Sequence, residues 1–162
     1  MLKQKLEKKM KQELLFSESG ARLESKYERG AHTVGVSMWE FEWKPKYGYA
    51  MMQNPEKRAI VSACIRQAAT RWKIKIIELN VQPKHLHLTA KIPMTMTPST
   101  ALHKLRGFSA KKIFEVVPNF RKRYPRGHFW SRGKFAASLG FISVEMANEY
   151  VRNQDKHHET VW

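Results

Sequence analysis

The order of apolar and polar positions along this chain predicts a short helix followed by alternating strands and helices. Leu2, Leu6, Met10 and Leu14 recur every four residues among lysines, which reads as a narrow amphipathic helix, with a looser link through Ser17, Ser19 and Gly20 behind it. From about His32 to Trp43 the β-branched and aromatic content predicts a strand, ended by Lys44-Pro45-Lys46-Tyr47-Gly48. Asn54-Pro55-Glu56 opens a helix that runs to about Trp72, with proline in its first turn and Ile60, Cys64, Ala68 and Trp72 along one face. A strand over Lys73 to Leu79 follows, and after Gln82-Pro83-Lys84 comes another, His85 to Ile92.

Pro93 and Pro98 bracket a turn into a second helix, about Ser99 to Val116, which Ser99 would cap. Leu102, Leu105, Ile113 and Val116 would face inward, and Lys104, Arg106, Lys111 and Lys112 outward. A basic loop from Pro118 to Gly127 leads to a strand over His128 to Ser138; Gly140 breaks it, and Ser143 caps a last helix, Val144 to Gln154. The resulting β-α-β-β-α-β-α order is a split βαβ pattern. It predicts an α+β fold of the ferredoxin-like or RRM-like kind, an antiparallel sheet with helices on one side and a C-terminal helix that carries Tyr150. Residues 1–30 read as a charged, helical extension and 31–162 as one domain.

Composition narrows the partners. The chain has 162 residues, enough for one domain with a core, and 30 Lys plus Arg against 14 Asp plus Glu give a net charge of +16. Solubility does not require so large an excess, so a polyanion, first of all nucleic acid, is the expected partner. Between His103 and Lys134 the only acidic residue is Glu115, which assigns the charge to the folded part. Cys64 is the single cysteine, so neither an internal disulfide nor a Cys-based zinc site is expected, and its apolar surroundings suit a small buried residue. The N-terminus lacks the apolar core of a signal peptide and no stretch is long enough to span a bilayer, so no membrane and a cytoplasmic location are expected.

Chemistry enters with His85 and His87. A strand points residues i and i+2 to one face, so both imidazoles could serve one metal ion while Leu86 packs behind them. A helix presents i and i+4 together, which pairs Tyr150 with Gln154. Alone, a His-X-His pair in a strand is more often structural, and Tyr150 could rest its ring on the stripe of Val144, Ala147 and Val151. His32, His103, His128, His157 and His158 have bland readings as surface residues, and Trp39 and Trp43 as core or interface.

In combination these motifs resemble a known family. Gln82-Pro83-Lys84-His85-Leu86-His87 resembles the histidine-hydrophobe-histidine motif of the HUH nucleases, in particular the single-tyrosine transposases of IS200/IS605-type insertion sequences. Lys44-Pro45-Lys46-Tyr47, Leu105-Arg106-Gly107-Phe108-Ser109, Phe129-Trp130-Ser131-Arg132-Gly133-Lys134-Phe135 and Tyr150-Val151-Arg152-Asn153-Gln154 match in the same order. The likeness covers about His32 to Gln154. Two positions depart from it: Lys84 stands where the family commonly has an acid, and Gly48 where arginine usually follows the tyrosine. Loss of that acid removes an expected outer carboxylate that would orient His85.

The resemblance implies that His85, His87 and Gln154 bind a divalent metal, Mg²⁺ or Mn²⁺, and that Tyr150 attacks single-stranded DNA to form a 5′-phosphotyrosine. It also implies DNA with subterminal hairpins as partner and a homodimer with active sites shared between subunits. Lys104, Arg106, Lys111, Lys112, Arg121, Lys122, Arg123, Arg126, Arg132 and Lys134 are the candidates for gripping phosphates. Phe129, Trp130 and Tyr124 lie among them as candidates for stacking on bases. Two other readings stand beside the transposase: a domesticated relative that nicks repeat hairpins, and a non-catalytic nucleic-acid-binding protein.

Overall fold

The computed structural model describes Glu28, Arg29 and residues 34–139. By its contacts the chain divides into Met1–Val36 and Ser37–Trp162. In the first unit Glu28–Arg29 (β1) pairs antiparallel with Val34–Gly35 (β2). The expected helix around Leu2 to Leu14 lies outside the described residues, as do Tyr150, Gln154 and the rest of the last helix. The second unit begins its sheet at Met38–Pro45 (β3), so the strand expected from His32 to Trp43 is two strands: residues Val36 and Ser37 between them belong to neither.

After β3 come helix α1 (Pro55–Arg71), strands β4 (Lys75–Val81) and β5 (Leu86–Lys91), helix α2 (Pro98–Val116) and strand β6 (Trp130–Ser138). The sheet order is β4-β5-β3-β6 with every neighbouring pair antiparallel. β3 and β4 therefore run parallel with β5 inserted between them, the split βαβ arrangement that the alternation predicts. The element boundaries shift by a residue or two. His85 stands just before the hydrogen-bonded part of β5, where its carbonyl accepts from Gln82 N at 2.8 Å and closes the β4–β5 turn.

Alternation decides the sheet's two faces. Phe41, Trp43, Leu86, Leu88 and Ala90 are buried together with Val61, Ile65 and Ala68 of α1 and Leu102, Leu105 and Ile113 of α2. Each large side chain so buried contributes about 1.5–3 kcal/mol. Cys64 belongs to this core, and burial pushes its thiol pKa up. The opposite face carries Glu40, Glu42, His87 and Thr89, because Glu40 pairs with Thr89 and Glu42 with His87. A bulge between Ile76 and Glu78 adds one residue to β4 and aligns Glu78 with Thr89 and Asn80 with His87.

The helices start where polar caps meet proline. Asn54 accepts from Glu56 N at 2.8 Å with Pro55 in the first turn of α1. Thr97, not Ser99, caps α2, accepting from Thr100 N at 3.1 Å, because Pro98 takes the first helical position and moves the boundary back. Val116, expected inward, is 55% exposed; the helix ends there, and Val117 turns in to fill the core instead. Ser109 is buried on α2 and accepts from Trp130 Nε1 at 2.9 Å, which ties that helix to the start of β6.

Candidate functional site

His85 and His87 are brought together as the strand spacing predicts. Their ring centroids lie 5.0 Å apart with planes at 89°. His87 is fully buried, and His85 is half-buried at the mouth of the sheet. The adjacent strand adds what the motif alone does not contain. Glu42, opposite His87 in β3, places Oε2 3.8 Å from His87 Nδ1, and Glu40 places Oε1 3.9 Å from the same nitrogen. One ligand atom from each of Glu42, His85 and His87 lies within 4.8 Å of the others. Burial, and then the neighbouring Glu42, raise the Glu40 carboxyl above the ordinary carboxylate range.

This donor set fits a divalent ion. Two imidazoles alone favour zinc or manganese, and a carboxylate oxygen shifts the preference toward harder ions such as Mg²⁺ and Mn²⁺. Glu42 and Glu40 also supply carboxylates near the histidines although Lys84 occupies the position before them. Sequence reading missed both glutamates. The available signal was their own alternation, Glu40 and Glu42 between Trp39, Phe41 and Trp43, which puts two acids on one face of a strand otherwise apolar on the other. Gln154 and Tyr150 lie outside the described residues.

The ten basic candidates separate into groups. Lys104 sits with Nζ 4.9 Å from the Trp72 ring centroid, and Arg71 lies over both Trp72 and Phe108. Lys112 pairs with Glu115 at 2.8 Å, which holds that exposed carboxyl below the ordinary range, and Lys111 beside it is exposed. Arg121 lies 4.8 Å from the Phe114 ring and Arg123 4.8 Å from the Tyr49 ring, while Lys122 is exposed. Arg106, expected outside, is a correction: it is half-buried and its guanidinium donates to the Ser131 carbonyl. Burial lowers its pKa, and the bond to Ser131 draws its guanidinium to β6.

Arg126 and Arg132 are drawn into one feature with residues the charge count did not single out. Two adjoining cavities of about 280 and 230 Å³ share Lys46, Arg126 and His128; Tyr47, Tyr124 and Pro125 complete the first, Trp130 and Arg132 the second. Lys134 is exposed on β6. Register fixes where this groove lies, because Pro45 pairs with Trp130 in the same sheet where Trp43 pairs with Leu86. The groove therefore opens at the sheet end at which His85 enters β5. From Trp43 to Lys46 the chain advances roughly 10 Å at strand spacing.

The aromatic candidates for base stacking are corrected. Phe129 is fully buried, Tyr124 and Trp130 are nearly so, and all three pack in a cluster of rings: Phe129 lies 4.6 Å from Trp130 and 5.6 Å from Tyr124. The reason is the interior behind the basic loop, which only large apolar rings fill. Burial, with a smaller contribution from Tyr49, pushes the Tyr124 hydroxyl up to about 12, and that hydroxyl donates to the Lys46 carbonyl at 2.8 Å. Trp43 is a core residue, as one of its two expected roles required.

Comparison with known proteins adds the following. A family model described as "Transposase IS200 like" matches residues 33–154. The transposases for insertion sequence element IS200 of Salmonella typhimurium (strain LT2) and of Salmonella typhi are each 26% identical to this chain over 125 residues, covering 76% of it and 80% of the relative. Among solved structures, a candidate transposase from Deinococcus radiodurans R1 superposes with a TM-score of 0.63 at 19% identity, over 78% of this chain and 97% of that one. A REP-associated tyrosine transposase bound to a REP hairpin has a TM-score of 0.56 at 12% identity, over 83% and 75%.

Proposed function

This chain belongs to the IS200-like transposase family, and from that membership we propose that it cuts and rejoins single-stranded DNA through a covalent bond to Tyr150. The observation that carries the reading is the cluster of Glu42, His85 and His87, whose ligand atoms lie within 4.8 Å of one another inside the region the family model matches. These residues would hold a divalent ion, Mg²⁺ or Mn²⁺, with Gln154 as the further ligand that the family motif implies. Such an ion supplies Lewis-acid polarisation of a phosphodiester.

The work of the chain's own groups then follows from ordinary chemistry. The Tyr150 phenol has a reference pKa near 10 and is a weak nucleophile unless its proton is lost as it attacks. The Tyr150 oxygen forms a bond to phosphorus, the bond from phosphorus to the 3′ oxygen breaks, and that oxygen leaves as a free 3′-hydroxyl after taking up a proton. The 5′-phosphotyrosine keeps the energy of the cleaved ester, so a second 3′-hydroxyl rejoins DNA by the reverse exchange without ATP. Lys46, Arg126, Arg132 and His128, which line the groove at the same sheet end as His85, would hold the phosphates of a strand.

The partner is single-stranded DNA with hairpins near the element ends, and the working unit is a homodimer in which one subunit's Tyr150 helix serves the other's histidines. The test is strand cleavage of an end-labelled oligonucleotide carrying the gene's own flanking sequence, with Mn²⁺ or with chelator, for wild type and His87→Ala. The reading requires cleavage that is lost both in chelator and in His87→Ala. Undiminished cleavage in chelator contradicts the metal-dependent mechanism, and tight binding without cleavage favours a binding-only protein.

A further inference from the structure

We propose that Tyr47 is a stacking platform for one unpaired nucleobase, beside a groove that holds the phosphates of the same strand; this rests on the single-stranded DNA reading above. Three independent observations meet at this residue. Its backbone is left-handed, φ +64 and ψ +10, a conformation that tyrosine adopts at a cost and glycine without one. It is 64% exposed, more than Met94, Val116 and Phe135, the other exposed large hydrophobics among the described residues. It lines the cavity of about 280 Å³ with Lys46, Arg126 and His128.

Closure of the turn does not require a tyrosine at this position. The turn Lys46–Gly48 is held by other groups: Lys46 N donates to the Phe129 carbonyl at 2.8 Å, and the Tyr124 hydroxyl donates to the Lys46 carbonyl at 2.8 Å. Gly48 follows with φ +66, so the chain spends two consecutive left-handed residues here, and only one is glycine. Strain retained at an exposed position is a mark of a functional constraint.

What the strained turn presents is a ladder of rings. Tyr49 stacks on Tyr124 at 5.8 Å, and Tyr47 lies 5.5 Å from Tyr49 and 6.3 Å from Tyr124. Arg123 covers Tyr49, and Lys46 Nζ stands 5.2 Å from the Tyr47 centroid. The inner rings are fixed, and the outermost one is open. An exposed aromatic face flanked by cations is the arrangement that binds single strands without sequence preference, the ring taking a base and the cations the backbone. The cavity lies near the lower end, roughly 300 Å³, of pockets that enclose a small ligand, which suits one nucleotide and not a duplex.

The experiment compares binding of fluorescein-labelled oligothymidine with binding of an abasic oligonucleotide of equal length, which keeps the phosphates and lacks the bases. Wild type, Tyr47→Phe and Tyr47→Gly are titrated by anisotropy, and each is melted by circular dichroism. Wild type and Tyr47→Phe should favour oligothymidine by about 5- to 150-fold. Tyr47→Gly should lose that preference, keep its affinity for the abasic strand, and melt no lower than wild type because glycine suits the left-handed turn. A structural role for the ring predicts a lower melting point and an unchanged preference, and either result overturns the proposal. If wild type binds neither strand, the DNA reading itself fails; if it binds both and Tyr47→Gly retains the preference, only the stacking role falls.

Discussion

The groove at Lys46, Arg126 and Arg132 makes a quantitative prediction about salt. Each phosphate neutralised on a single strand releases condensed counterions and adds about 0.7 to the slope of log K against log salt, so removing three contacts should flatten that slope by about 2. Between 50 and 200 mM salt, a fourfold change, a slope difference of about 2.1 corresponds to a relative affinity change of about 18-fold. The three side chains line the two adjoining cavities, so truncating them removes charge from the groove itself. The variant Lys46→Ala/Arg126→Ala/Arg132→Ala is titrated against a labelled single strand across that salt range. A control, Lys57→Ala/Arg58→Ala/Arg66→Ala on α1, removes the same charge elsewhere. The groove variant should lose slope and the control should keep it within one contact's worth. Equal flattening in both would refute a localised groove and leave only the protein's overall field as the source of affinity.

Three further outcomes follow from the geometry. Glu42→Gln should weaken Mn²⁺ binding by about 10- to 100-fold in calorimetric titration, and unchanged affinity would remove Glu42 from the centre. Ser109→Ala leaves the buried Trp130 Nε1 without its acceptor and should cost about 1–3 kcal/mol in urea denaturation; an unaffected midpoint would contradict the role of that hydrogen bond. Tyr124 holds its proton more tightly folded, up to about 12, than unfolded, near 10, so its contribution to stability is complete below pH 10 and is lost as pH rises toward 12. Denaturation in that alkaline window should show the loss in wild type and not in Tyr124→Phe.

Much of this architecture was legible in the chain. Periodicity separated strands from helices because each element buries one face, and Leu86, Leu88 and Ala90 on one side of β5 place His87 on the other without any knowledge of the fold. The proline-led helix starts at Asn54 and Thr97 follow the same logic, although the cap of α2 was displaced by two residues, because either hydroxyl suited the sequence pattern. What stayed hidden depends on which strands become neighbours. Glu42 meets His87 only because β3 and β5 pair at that register, and no local signal encodes it.

Exposure was the other limit. Tyr124, Phe129 and Trp130 sit in a basic stretch that reads as surface, yet they are buried, because the loop folds its rings back under its own charges. Tyr47 in turn followed proline and lysine in a segment that reads as a simple strand end. Its left-handed backbone and open ring arise from the turn's closure against Phe129 and Tyr124, some eighty residues downstream in the sequence.

The most direct test of the covalent mechanism is to trap the DNA adduct and map it. Wild-type protein is incubated with Mn²⁺ and single-stranded DNA carrying its flanking sequence, denatured, digested with protease and nuclease, and sequenced by mass spectrometry. The account predicts a nucleotide joined through its 5′ phosphate to Tyr150, and no adduct in Tyr150→Phe. Cleaved DNA without any protein-linked nucleotide, or an adduct on a residue other than Tyr150, would contradict it.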